Sequence, residues 1–296
     1  MTLAVVLALG AGLCYAIAAV VQQRVAAQQA PELSLSPRLV IALAHRPLWL
    51  LGIAVDLTAY GLEAAALGVG SVLVVGPLLA SGLLFALPFA SFRTGRRVTR
   101  AEMIPAALIT AGLALYVEVG SPAGTASHAS HLAWSLAASF VIVATAVLVA
   151  LGRRAVEPGR RATYYGIATG VVYSLTAVLT KATVDRLNGR VFPILGHWQL
   201  YALLLASLVG LVLNQSAFQA GHVAASLPAI SVTNPVLASV MGIVLFGEHL
   251  NAHGMLAWTV AAGAIAAMLV GTCWLTRSPL VTEEAAEPAA EGVTAR

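Results

Sequence analysis

The chain has 296 residues, 59% hydrophobic and 9% charged, with a mean hydropathy of +0.89 and a formal net charge of +4. Soluble domains carry about 25% charged residues, which excludes a soluble enzyme, and the basic residues lie in short gaps between apolar runs, which excludes a nucleic-acid footprint. At about 20 apolar residues per crossing, the length holds roughly nine or ten membrane helices and little else.

The first apolar run, 2–22, has no Lys or Arg ahead of it and continues past Ala19, so a first transmembrane helix is expected and not a cleaved signal. The run 33–44 is short and interrupted by Pro37 and Arg38, which places it at the interface. Further crossings are expected at 47–68, 70–92, 102–119, 131–151, 163–184, 197–218, 223–246 and 254–275, nine in all with the first. The tail 277–296, with Glu283, Glu284, Glu287 and Glu291, has no periodic apolar face and is expected to be disordered. Cys14 and Cys273 both fall inside apolar segments, so neither a disulfide framework nor a thiolate metal site is indicated.

Orientation follows from the arginines in alternate loops. One set of loops holds Arg24, Arg38, Arg46, Arg93, Arg96, Arg97, Arg100, Arg153, Arg154, Arg160, Arg161 and Arg277; the other holds Arg186 and Arg190. The N-terminus is therefore expected outside and the C-terminus in the cytoplasm. One lysine, Lys181, against fifteen arginines suits a GC-rich bacterial genome, and hence a bacterial plasma membrane.

The chain matches itself without gaps at an offset of 158 residues: Gly12 with Gly170, Tyr15 with Tyr173, Gly52 with Gly210, Ala59 with Ala217, and Pro77–Ser81 with Pro235–Ser239. Five crossings separate equivalent points, and an odd number inverts the second copy. The expected fold is an all-α polytopic membrane protein of two inverted four-helix repeats. Residues 1–120 form the first, 121–160 the linker helix and a cytoplasmic loop, and 161–276 the second. Inverted repeats of this kind typify secondary transporters, whose site lies at the repeat interface near the midplane.

Asp56, Tyr60 and Glu63 stand at i, i+4 and i+7, on one face of the second span with Gly52 above. A carboxylate at mid-membrane costs about 2.5 to 3.5 kcal/mol on insertion scales, so both must face a cavity or find partners. They read either as a cation or proton site or as a structural pair satisfied by hydroxyls and amides. Asn214 and Gln215 occupy the equivalent place in the seventh span, as ligands or as interhelical glue. Gln23 is the repeat partner of Lys181, which either pairs with a carboxylate or snorkels beside Asp185 and Arg186. Pro77 and Pro235, preceded by Gly76 and Asn234, are expected to break their helices locally and act as hinges, or to kink them for packing. Ser81 and Ser239 follow one turn on.

Glu118 reads as an interfacial carboxylate, and Gly166 with Gly170 as a close-packing pair. His249 and His253 beside Glu248 lack the order and third ligand of a metal site.

The segment 231–248, S-V-T-N-P-V-L-A-S-V-M-G-I-V-L-F-G-E, resembles the EamA-like repeat of the drug/metabolite transporter superfamily, whose proline-led helix ends in Gly-Glu; the first repeat has L-F-A-L-P-F-A instead. L-W-L-L-G at 48–52, Pro77 and the nine-helix layout look like the NIPA-type magnesium transporters and their bacterial relatives. In the register of Gly52 and Pro77, that family's Glu and Asn places hold Tyr60 and Glu63, and Asp56 is additional. The resemblance implies a secondary transporter moving a small polar or amphipathic solute by alternating access, with proton coupling as one option. A magnesium transporter using Asp56 and Glu63 is the alternative, since hydrated magnesium asks for one or two carboxylates. A non-transporting membrane assembly partner is a third reading. No enzyme activity, cofactor or nucleic acid is expected; the expected partners are the bilayer, a small-molecule or ion substrate, and a second copy if the protein dimerises.

Overall fold

A computed structural model describes residues 2–80, 129–186, 195–220, 223–248 and 255–275, with scattered positions between 103 and 115. Among the described residues the chain is helical throughout its regular structure, with no strand. Ser81, Glu118, His249, His253, the loop arginines at 93–100, Arg190 and the tail 277–296 lie outside them, as do the end of the third expected span and much of the fourth.

The helices are α1 (Thr2–Ala26), α2 (Pro37–Ala44), α3 (Pro47–Val69), α4 (Val72–Ala80), α5 (His131–Arg154), α6 (Pro158–Val184), α7 (Trp198–Ala220), α8 (Val223–Phe246) and α9 (Met255–Leu275). Pro37, Pro47 and Pro158 open α2, α3 and α6, where the missing N–H costs nothing and the fixed φ suits the first turn. Ser36 and Ser130 cap α2 and α5 by accepting from the amides of Arg38 and Ala133 at 3.2 Å.

Among the described residues six helices are long and apolar enough to cross a bilayer: α1, α3, α5, α6, α7 and the Ala229–Phe246 part of α8. This is the build of an all-α multi-pass membrane protein. The eight residues of α2 reach only about 12 Å. That helix lies across one end of the bundle, with Leu39 and Leu43 buried against Val25, Ala26, Trp49 and Phe218.

Helix α6 is the spine, packed against α3, α5, α7 and α8. Its polar residues tolerate burial because Thr169, Thr180 and Thr183 each donate to the carbonyl one turn back, at 2.7–2.8 Å. Gly166 and Gly170 let α8 approach closely. A Cβ on Gly166 would lie 2.8 Å from the Ser226 carbonyl oxygen, and one on Gly170 would lie 2.7 Å from the Thr233 Cβ. Close approach through small residues is how membrane helices gain contact when the lipid is as apolar as they are. Helix α5 covers α6 and turns Leu132, Leu136, Phe140, Ile142, Val143 and Val147 outward.

The ends of the helices establish their directions. Helix α1 begins beside the end of α3, where a Cβ on Gly70 would meet Ala4, and α6 ends there too, with Val184 beside Gly68. Helix α1 finishes at the opposite end of the bundle, beside the start of α3 and the end of α7, so α1 runs antiparallel to α6 and α3 to α7. Arg24, Arg153, Arg154, Arg160 and Arg161 share the end where α1 finishes and α6 begins.

Helix α8 runs through Pro235 without interruption, and α4 continues past Pro77. The expected local break at Pro235 is therefore absent. The close contact is instead between helices: Gly76 faces Pro235, its added Cβ 3.7 Å from the Pro235 Cα, at the point where α4 crosses α8.

Gly170→Leu should overpack this seam, because its nearest neighbours include the backbone nitrogen of Asn234. The expected loss is about 1–3 kcal/mol, read as a lower melting temperature and a broadened size-exclusion peak in detergent. Gly263→Leu, with nothing within 4 Å of an added Cβ, should leave both unchanged.

Candidate functional site

Several polar side chains of the inner helices collect in one cluster where α1, α3, α6 and α7 meet. Helix α3 supplies Asp56, Tyr60 and Glu63, whose spacing turns them to one side. Glu63 is buried, and the Tyr15 hydroxyl of α1 donates to its Oε2 at 2.5 Å. Asp56 is partly buried and paired with the Gln22 amide of α1. Tyr60 donates to the Thr180 hydroxyl of α6 at 2.7 Å, since the Thr180 proton is already committed to the Thr176 carbonyl.

A second chain of bonds leads to α7. The Trp49 indole N–H donates to Gln215 Oε1 at 3.1 Å, and Gln215 Nε2 donates to Gln22 Oε1 at 2.6 Å. Gln22 is thereby left with its own amide N–H for Asp56, and a continuous path runs from Trp49 through two buried glutamines to a carboxylate. Asn214 is hydrogen-bonded to Tyr173 of α6, which also feels both Asp56 and Glu63. Tyr15 and Tyr173, equivalent at the 158 offset, lie close enough to influence each other.

The structure therefore brings Asp56, Tyr60, Glu63, Asn214 and Gln215 together. Lys181 is elsewhere: its Nζ donates to the carbonyls of Leu67 and Gly70 at 3.3 and 3.2 Å and pairs with Asp185 at 3.5 Å. Gln23 is buried one residue beyond Gln22. Pro235 is buried on α8, Ser239 and Asn234 are partly buried there, and Asn234 Oδ1 has no donor among the described residues. Pro77 sits in α4 just after Gly76.

Tyr15, Tyr173, Gln22, Trp49 and Thr180 complete the cluster beyond the expected set. Two of them carried a signal in the sequence, as the tyrosine pair that repeats at offset 158; the others are single polar tips whose partners lie 120 to 193 residues away. Among the described residues, no group of three or more His, Cys, Asp or Glu is placed to hold a metal ion. Two carboxylates, three tyrosines and three amides instead offer a site for a proton, a cation or a hydrogen-bonding solute.

No family model and no solved structure matches the chain. It is 30% identical over 279 residues, 93% of its own length and 95% of the relative's, to a Corynebacterium glutamicum protein described as uncharacterized, Cgl0250/cg0304.

A double-mutant cycle on Gln22→Leu and Gln215→Leu should return a coupling of about 0.6 kcal/mol, and at most about 1.7 kcal/mol, the range found for interhelical bonds in membranes. Denaturant unfolding in mixed micelles measures it. Strict additivity would mean that the two amides do not act as a pair.

Proposed function

We propose that this chain, which belongs to the same family as the uncharacterized Corynebacterium glutamicum protein Cgl0250/cg0304, is a secondary transporter that moves a small polar or amphipathic solute by alternating access. The observation carrying this reading is the placement of Asp56 and Glu63 at mid-helix in α3, held by partners from α1 and electrically coupled to α6. Carboxylates inside membrane helices are expensive even when hydrogen-bonded, and they commonly mark substrate or ion pathways.

The helix arrangement supports the inverted repeat behind the proposal. Under the 158 offset α1 corresponds to α6, α3 to α7 and α4 to α8. The observed pairings obey that exchange: α1 with α3 and α6 with α7, α1 with α4 and α6 with α8, α1 with α7 and α3 with α6. Gly76 and Pro235, where α4 meets α8, lie at nearly equivalent positions, as expected near a pseudo-twofold axis. In this reading α5 is the linker, the arginine-rich end is cytoplasmic, and one unit rocks against the other around the cluster. Asp56 is the coupling or binding carboxylate; Tyr60, Glu63, Asn214 and Gln215 complete the site, and no enzyme chemistry is assigned.

A thermal-shift screen of the purified protein across pH 5 to 8, against metabolites and divalent cations, tests the proposal with Asp56→Asn alongside. A bound solute at a hundredfold excess over Kd stabilises by about 2.7 kcal/mol. We expect an organic solute to do so, with a pH dependence that Asp56→Asn removes together with flux in proteoliposomes. Because Asn still accepts from Gln22, the variant should fold normally. Unaltered flux in Asp56→Asn removes the assigned role. Stabilisation by magnesium alone, lost in both Asp56→Asn and Glu63→Gln, replaces the solute with a divalent cation, and indifference of all function to both changes favours an assembly partner.

A further inference from the structure

The junction between α3 and α4, Leu67–Val72, is held by two charges from the other half of the molecule. Lys181, on α6, reaches the free carbonyls at the end of α3, those of Leu67 and Gly70. Glu248, just after α8, accepts from the first amide of α4, Val72 N, at 2.9 Å. Each charge sits where the peptide dipoles favour it, the cation on C-terminal carbonyls and the anion on an N-terminal N–H. Both side chains are buried, to 8% and 2% exposure.

The Glu248 arm is built for this contact. Gly247 takes a positive φ of 62°, its amide donates to the Ile243 carbonyl at 3.1 Å, and the Glu248 amide donates to Gly242 O at 3.3 Å. That is a glycine C-cap, which turns the chain back on the helix end. Gly242 leaves room for the carboxylate, because a Cβ there would lie 2.6 Å from Glu248 Oε2.

The opposite end is tied differently. At the 158 offset Lys181 corresponds to Gln23 and Glu248 to Ala90, both uncharged. Among the described residues the halves are joined there by neutral bonds: Gln215 to Gln22, Leu35 N to Ser216 Oγ, and Gln219 to the Ala30 carbonyl.

We propose that Lys181 and Glu248 form a charged latch that closes the end of the bundle opposite the arginine-rich one and must release for that end to open. The latch rests on the alternating-access reading above. Released, Lys181 keeps a partner in Asp185, already 3.5 Å away, so opening does not strand its ammonium.

Maleimide labelling of single cysteines in detergent tests this, in a Cys14→Ala/Cys273→Ala background. Ser71→Cys reports the latched junction and Ser216→Cys the opposite end; both serines are buried. Lys181→Met keeps the aliphatic stem and removes the donors, and should speed labelling at Ser71→Cys by about tenfold, with a smaller rise for Glu248→Gln, which retains an acceptor. Labelling at Ser216→Cys should not change. An unchanged rate at Ser71→Cys, or an equal rise at both ends, overturns the latch, the latter by showing general loosening. No solute enters the measurement. A labelling change without flux keeps the Lys181–Glu248 closure of this end and removes its part in transport; flux without the labelling change removes the closure and keeps the transport reading.

Discussion

A polar side chain inside an apolar helical bundle has no water to pair with, so its partner must come from another helix or from its own backbone. That constraint organises this protein. The hydroxyls of α6 bond to their own carbonyls, which lets the most buried helix carry threonines along its length. The side chains that cannot be satisfied at home, two carboxylates, three tyrosines and several amides, are gathered where α1, α3, α6 and α7 meet. The same bonds that make their burial tolerable tie the two halves of the molecule together.

Glycines provide the close approach that those bonds require. Gly166 and Gly170 bring α8 against α6, while Gly52 admits the Gln22 stem, whose Cγ would be 2.9 Å from an added Cβ. Gly52 and Gln22 are thus coupled choices: the small residue on α3 makes space for the amide that bridges Asp56 and Gln215. Glycine at Gly210 makes the equivalent opening for the Tyr173 ring. Packing and polarity are solved at the same positions.

Charge is distributed with similar economy. The polar cluster contains carboxylates, while Lys181 serves the α3–α4 junction. A fixed ammonium beside Asp56 and Glu63 would satisfy them permanently. With Lys181 elsewhere, their partners among the described residues are tyrosines and amides.

The sequence by itself determined that the chain is a bundle of membrane helices, because length, apolar runs and the scarcity of charge are local properties that burial in lipid enforces residue by residue. It also marked α2 as too short to cross and the Gly166/Gly170 seam as a close contact. The face formed by Asp56, Tyr60 and Glu63 was legible from helical spacing alone. Tertiary structure decided the rest: that Gln22 joins Asp56 to Gln215 across 193 residues, that Lys181 serves backbone carbonyls and Asp185 and neither Asp56 nor Glu63, and that α8 passes Pro235 unbroken against Gly76. A helical period says which residues share a face and nothing of which other face it will meet. An internal repeat pairs equivalent positions, but hydrogen bonds form between inequivalent ones, so partner choice had to await the packed bundle.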